Sequence, residues 1–565
     1  MSAVNGKRVL RFPSDFQQTA GLWAPRERST PFEYSDGSAH ERYLLDVLRG
    51  ASDRSSSSRE LEDRIRDWPS RYHLSPKRAN LLRPLDFAPN SRILEIGGGS
   101  GPLARFLAES GHSVVLVEGS ETRAAAAAVR CADLPVNVVV GNILEIEAEE
   151  SFDAVILCGV LEYAAIYSDS TDPHVELLRH AARQMKPDGH MVLAIENRLG
   201  LKYLLGVPED HIGTAYTGVE NGYARRGVRT FTLQELHGLI KDADLEVQRT
   251  LNPLPDYKCV TAVVDFEATP NDARQSVAAL VGRALGVDPQ LTRPNKVVHE
   301  QIAASVVLEG LGAELAPSFV VLATKAPTAY PLTDPDCFGW IYAVDRPHGF
   351  QKVTTLIADQ SGMRSEHAWL YPNEEHSSNN LEQSLTTDEF ATGPVLWSKL
   401  VAVLAQEGWT SEALAAQVRP LWNWLVTQSE TDGTVPGDCL DVTPFNSTFE
   451  SSITTFDREW VWRAPCLASW VMLRGILFSF SHLSAVRVPA SGTPTRLLDL
   501  SLSVLESLGV DLNSTELQRF HEWLVLMQSE ANGRTEEFFN EWLRDYYAES
   551  LPIQEAPRQQ PNFDD

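Results

Sequence analysis

Between residues 91 and 265 short apolar runs alternate with stretches of helical spacing. Residues 92–96 (R-I-L-E-I) are apolar with one acid inside, the pattern of a buried strand. Leu103, Phe106 and Leu107 then recur at helical spacing, and Gly111 ends the run. Residues 113–117, 136–140, 152–157 and 191–195 predict four more strands, with Ala-rich helix material at 121–131 and a further helix at 175–185. K-P-D-G at 186–189 reads as a turn, Thr232 as the cap of a helix over 233–243, and residues 260–266 as the closing strand. Such alternation predicts a doubly wound α/β sheet that binds its ligand at the strand C-termini.

The first predicted strand runs straight into Gly97, Gly98, Gly99 and Gly101. Without Cβ atoms a ligand can approach this backbone closely, and the following helix adds unpaired N–H groups. Dinucleotide sites also use a glycine turn. This one, G-G-G-S-G, lacks the later glycine of G-x-G-x-x-G, since Arg105 lies well inside the helix. Glu118 stands at the end of the second strand, where a carboxylate can accept both hydroxyls of a ribose.

The pattern divides the chain into an N-terminal extension (1–70), an α/β domain (71–268), a helix-rich α+β domain (275–550) and a disordered tail (551–565). Residues 52–58 are Ser-rich and read as a mobile loop. In the second half, strands are expected at 318–323, 338–346 and 351–357, and helices at 396–407, 411–428, 501–508, 515–529 and 535–547.

Bulk composition narrows the function classes. The 565 residues carry 76 acidic against 49 basic side chains, a net charge of −27 that repels phosphate backbones and disfavours nucleic acid as a general partner. The most apolar window, 461–480, contains Arg463 and Arg474 and reads as a core helix rather than a membrane span. No signal-peptide pattern opens the chain, and six scattered cysteines form no C-x-x-C pair. Reduced thiols and a cytoplasmic location are therefore expected, with no zinc site.

Three stretches carry a family resemblance: L-E-I-G-G-G-S-G, V-E-G-S after the second strand, and F-D-A-V-I-L-C-G-V-L-E-Y at the fourth. Over residues 72–265 this order resembles the class I S-adenosylmethionine (SAM)-dependent methyltransferases, with their Rossmann-like sheet. The resemblance implies that Glu95 approaches the methionine ammonium and that Gly97, Gly99 and Gly101 line the cofactor turn. Glu118 and Gly119 would meet the ribose, Asn142 and Ile143 the adenine, and Cys158 and Gly159 the methionine part. Asn142 stands where many members carry Asp. A segment before the first strand covers the cofactor in such enzymes, and Tyr72 is the candidate for that contact.

The stretch from Glu196 to Arg229 is rich in acids, amides, His, Tyr and Arg. Its motifs E-N-R-L-G-L-K-Y and P-E-D-H-I-G, with L-P-D-Y-K downstream, resemble a bacterial subgroup associated with capsule and O-antigen glycan assembly. That implies a sugar or glycan-end acceptor and glycan-assembly partners. Methyl transfer from a sulfonium is mostly alignment, but a hydroxyl acceptor must also lose its proton. His211 is the candidate base, Asp210 its orienting acid, and Glu196 and Glu162 the acceptor-binding acids. Asn197, Arg225, Arg226 and Arg229 are candidate acceptor contacts, the arginines because guanidinium forks fit anions. No metal is expected for this step.

In the second half, Asp441 and Asn446 stand as D-x-x-x-x-N and Asp457 ends a short strand. This resembles the catalytic loop and metal-binding aspartate of the kinase and aminoglycoside-phosphotransferase superfamily, which implies ATP-Mg. The departures are a missing Gly-rich loop, Asp438-Cys439-Leu440 in place of the usual His, and no glycine after Asp457. Three readings follow. The first is a SAM-dependent O-methyltransferase whose second domain binds without catalysing. The others are a bifunctional methyltransferase–kinase and a SAM-binding scaffold.

Overall fold

The computed structural model describes residues 16–19, 22–25, 37–145, 151–325 and 330–554. Two compact units divide the chain, residues 1–266 with 313–335 and residues 267–312 with 336–565. The chain thus passes between units three times, where the sequence pattern suggests one crossing near residue 270.

The first unit is built on strands β1 (Phe16–Thr19), β2 (Leu22–Pro25), β3 (Arg92–Ile96), β4 (Ser113–Glu118), β5 (Val136–Val140), β6 (Phe152–Cys158), β7 (Met185–Glu196), β8 (Glu246–Leu254), β9 (Ala262–Val264) and β10 (Ser318–Thr324). Their order is β1-β2-β5-β4-β3-β6-β7-β10-β8-β9. From β2 to β7 the neighbours are parallel, while β10 runs antiparallel to both β7 and β8. The order reverses beside β3, so the glycine turn after β3 opens at the switch point, where doubly wound sheets bind ligands.

Three expectations need correction here. The run 318–323 was expected in the second domain, but all seven residues of β10 are buried inside the first unit's sheet. An unbroken S-F-V-V-L-A-T run fits a strand covered on both faces. The residues expected as the closing strand form only β9, a three-residue partner of β8. Likewise K-P-D-G is no turn: β7 runs through it from Met185 to Glu196, with a register shift against β6 between Phe152 and Ala154.

Helices cover the sheet. Thr232 caps the helix Leu233–Asp242 with a capping box to Glu235. The helix Pro102–Glu109 starts at Gly101, which is left-handed at φ 75°. The N-terminal extension is integrated rather than appended: Leu44, Leu48, Leu61, Leu74 and Ala126 form one buried cluster. The Ser-rich stretch is tied down, with Ser52 bonded to Glu60, Ser56 to Glu109, and Ser58 capping the helix Arg59–Glu62.

The second unit has an antiparallel meander of β11 (Cys337–Ala343), β12 (Lys352–Asp359) and β13 (Gly362–Trp369), followed by a helical core. The helix Ala468–Ser479 is buried almost throughout, with Arg474 donating to the Leu440 carbonyl. No helix among the described residues is long and apolar enough to cross a membrane. Of the expected tail, Leu551 and Gln554 are buried, and Ile553 bridges to Val486. Residues 555–565 lie outside the described residues.

Candidate active site

Two clefts meet at the ends of β3, β4 and β6. The first, about 100 Å³, is lined mostly by apolar groups and by Glu118, Gly119, Asn142 and Ile143. The second, about 160 Å³, is lined by Tyr72, Arg78, Glu95, Cys158, Glu162, His211 and Lys258 among others. Gly97 and Gly159 border both. Both adopt positive φ, 70° and 69°. A Cβ on Gly97 would stand 2.5 Å from a Val160 methyl, and one on Gly159 would stand 2.7 Å from the Tyr257 hydroxyl. The positive φ and the close neighbours together require glycine at both positions.

The first cleft suits a nucleoside. Glu118 Oε2 accepts the Gly99 N–H at 2.8 Å and Oε1 the Ser120 N–H at 2.8 Å. These bonds fix the carboxylate at the end of β4 and leave lone pairs for a diol. The Asn142 side chain turns onto the Leu144 N–H at 3.1 Å.

The second cleft holds the charges. Glu95 is 2% exposed, and its Oε2 has no hydrogen-bond partner. Burial, opposed by nearby Arg78, pushes its carboxyl up to about 8. Arg78 itself is buried and donates to the Tyr257 carbonyl, the Tyr72 hydroxyl and Cys158 Sγ. It also lies over the Tyr72 ring at 4.4 Å. Tyr72 and Cys158 are thereby joined through a residue that the sequence reading did not single out.

Beyond them sits an acid-rich cluster. Glu162 is fully buried and neither of its oxygens accepts a hydrogen bond; its nearest cation is His211 Nε2 at 3.6 Å. His211 Nδ1 lies 3.0 Å from Glu209 Oε1. Burial opposes charge on this imidazole, but Glu196, Glu162 and Glu209 outweigh it and hold the ring's pKa up to about 10. Glu162 is itself raised, by burial. Glu196 pairs with Lys258 at 2.5 Å and accepts the Tyr257 hydroxyl at 3.2 Å, leaving its Oε2 unpartnered. Lys202 and Asp256, each 2% exposed at the side chain, form a second pair at 3.0 Å.

The geometry corrects several expected roles. The acid against the His211 ring is Glu209; Asp210 instead bonds the Tyr203 hydroxyl and pairs with Lys258 at 3.2 Å. Asn197 is no acceptor contact. It is fully buried, gives its amide to the Glu314 and Ala316 carbonyls, and accepts the Leu199 N–H. The arginine cluster also disperses. Arg226 pairs with Asp169 at the surface, Arg229 turns to Glu235, and Arg225 lines a separate open cleft with Arg229. Glu209, Tyr257 and Lys258 lie inside the motifs P-E-D-H-I-G and L-P-D-Y-K, so composition drew attention to the segments but not to those side chains. Arg78 had no sequence signal beyond its place before the first strand.

In the second unit, Asp441, Asn446 and Asp457 do converge. Lys352 pairs with Asp457 and, at 3.3 Å, with Glu459. Asp441 accepts the Trp460 N–H at 2.9 Å and faces Arg474 at 3.5 Å, while Asn446 donates to the Asp457 carbonyl.

Residues 60–250 match the family model described as a methyltransferase domain. The ubiquinone biosynthesis O-methyltransferase of Rhodopseudomonas palustris (strain HaA2) is 29% identical over 184 residues, covering 31% of this chain and 67% of that protein. The ubiquinone biosynthesis O-methyltransferase of Pseudomonas putida (strain GB-1) is 26% identical over 215 residues, covering 36% of this chain and 87% of that protein. Among solved structures, the CcbJ methyltransferase from Streptomyces caelestis aligns at 17% identity with a TM-score of 0.29, covering 46% of this chain and 100% of that one. The chain is a SAM-dependent methyltransferase, with a class I methyltransferase domain in residues 60–250.

Proposed function

We propose that the protein O-methylates a hydroxyl of a small polyhydroxylated acceptor such as a sugar or glycan end. The observation that carries this reading is the buried Glu162–Glu196–His211 cluster, of which Glu162 and His211 line the cleft that shares Gly97 and Gly159 with the nucleoside cleft. Unpartnered carboxylate oxygens are suited to binding hydroxyls and receiving a proton. The open lone pairs are those of Glu162 and Glu196, because both ring nitrogens of His211 face carboxylates. In this reaction the acceptor oxygen bonds to the methyl carbon, the sulfur–carbon bond breaks toward sulfur, and the hydroxyl proton passes to the cluster. Glu95, Glu118 and the glycine turn hold the cofactor, and Asn142 and Ile143 flank its adenine. Glu196 and His211 lie in the motifs that resemble those of glycan-assembly enzymes, which favours a polyol. The relatives' names specify O-methylation, and a hydroxyl acceptor agrees with them. Six cysteines, all buried and free, suit a reducing cytoplasm.

The second unit's cluster is read as a structural network: each of its carboxylates already has a cation or N–H partner. Calorimetric titration with ATP-Mg tests that. The main test titrates the protein with S-adenosylhomocysteine, then follows label from methyl-labelled SAM into a panel of sugars, glycan fragments and phenols. Stoichiometric cofactor binding with label on a sugar oxygen is expected. Label only on nitrogen or on a phenol would overturn the acceptor reading, and absent cofactor binding would overturn the site.

A further inference from the structure

The geometry points to a divalent-cation site formed by Glu162, Glu196 and His211 at the wall of the acceptor cleft, where Glu162 and His211 line it, a site that would also hold the acceptor oxygen. One ligand atom of each residue lies within 4.8 Å of the others. Two carboxylates and an imidazole, whose Nε2 proton the arriving ion displaces to solvent, are a donor set for Mn²⁺, Fe²⁺ or Zn²⁺. The second observation is that Glu162, fully buried, accepts no hydrogen bond at either oxygen, and Glu196 Oε2 is likewise unpartnered. A buried carboxylate without partners is strongly disfavoured unless a cation balances it. The surroundings leave such a cation missing. Five buried carboxylates (Glu162, Glu196, Glu209, Asp210 and Asp256) face the ammonium groups of Lys202 and Lys258 and one imidazole. Lys258 engages one oxygen of Glu196 and leaves the other open.

The third observation is the outer support. His211 Nδ1 meets Glu209 Oε1 at 3.0 Å while Nε2 faces Glu162. A carboxylate on the far nitrogen is the usual support of a metal-bound imidazole, because it fixes both ring orientation and tautomer. Glu209 is itself held by the N–H groups of His211 and Ile212 at 2.8 and 2.7 Å.

For the reaction, this inference rests on the proposed O-methylation. A hydroxyl on the cation becomes more acidic. Its proton passes to the free oxygen of Glu162, its oxygen bonds to the methyl carbon, and the sulfur–carbon electron pair stays on sulfur. The cation is unchanged, and the proton then leaves to solvent. A metal role departs from the expectation that this step needs none.

The test titrates Mn²⁺, and separately Zn²⁺, into the full metal-stripped chain by calorimetry, with Mn²⁺ paramagnetic resonance as a second readout. One ion per chain is expected. Glu162→Gln and His211→Gln should abolish it, and Glu209→Gln should weaken it about 10–100-fold. S-adenosylhomocysteine affinity, measured on each variant, should stay within about threefold and shows that the fold is intact. Absence of stoichiometric Mn²⁺ or Zn²⁺ binding to the wild-type chain would overturn the site, as would binding that Glu162→Gln and His211→Gln leave unchanged. Metal binding without S-adenosylhomocysteine binding would support the site while sinking the proposed cofactor reading, so the two failures separate.

Discussion

Each unit of this protein buries a dense group of charges, and the two groups are finished differently. In the second unit Lys352, Asp457, Glu459, Arg346, Asp441 and Arg474 pair with one another and with backbone N–H groups. In the first unit Glu95, Glu162 and Glu196 keep buried oxygens with no partner. Buried polar atoms are almost always satisfied, so a carboxylate oxygen left open calls for a ligand, an ion or water to meet it. Closed networks hold a fold together, and removing one member leaves a buried charge behind.

The comparison breaks most sharply at Asp441. Asp441→Ala would strand Arg474 and the Trp460 N–H, and we expect a loss of about 3–5 kcal/mol in denaturant unfolding of the second unit. A loss below about 1 kcal/mol would show that this cluster is not structural. In the open group, Glu162→Gln should instead leave stability unchanged within about 1 kcal/mol or raise it, because it removes a buried carboxylate that accepts no hydrogen bond. Turnover should fall about 10²–10⁴-fold. Marked destabilisation with retained turnover would reverse the roles assigned to the two clusters.

A smaller effect is expected at Glu118. Glu118→Ala should weaken S-adenosylhomocysteine binding about 10–100-fold, the scale of charge-assisted hydrogen bonds to a ribose, read by calorimetry. Glu95 sharpens the comparison through pH. Its folded carboxyl titrates near 8 rather than at the usual 4.5, so it is neutral in the resting site at pH 7. Its raised pKa means the folded state holds a proton that the unfolded chain releases, so this group's contribution to stability falls as pH rises from about 4.5 through about 8. Cofactor binding has the opposite slope. In the proposed site the ionised carboxylate faces the cofactor's ammonium, so affinity should climb by up to about tenfold per pH unit below 8 and level off above it. Glu95→Gln should flatten that profile; an unchanged slope would place the titration elsewhere. The smallest effect belongs to Arg226, exposed and paired only with Asp169. Arg226→Ala should shift stability and turnover by less than about 0.5 kcal/mol, as measured by unfolding and kinetics.

Much of the first unit's sheet and its glycine turn was legible in the chain. The run R-I-L-E-I followed by G-G-G-S-G specifies strand, turn and helix through local periodicity and the conformational freedom of glycine. Glu118 and Asn142 fall at strand ends because each strand has only a few residues. These signals are short-range, so the sequence carries them intact. The segment from Glu196 to Arg229 was legible as chemistry but not as geometry. Which acid meets His211 depends on one residue of register in a loop, and P-E-D-H offers two.

Other decisions belonged to the tertiary structure alone. S-F-V-V-L-A-T at 318–324 reads as a buried strand from its composition, yet nothing local says that it returns to the first unit between β7 and β8. Its pairing with β7 spans more than a hundred residues and is set by where the strand can bury both its faces. Arg78 became the hub of the site only when its helix met Tyr257 and Cys158. The sequence determined the elements and the cofactor turn, because propensity and period act over a few residues. The tertiary structure decided which buried charges were satisfied and which were left open, because that depends on partners brought together from distant parts of the chain.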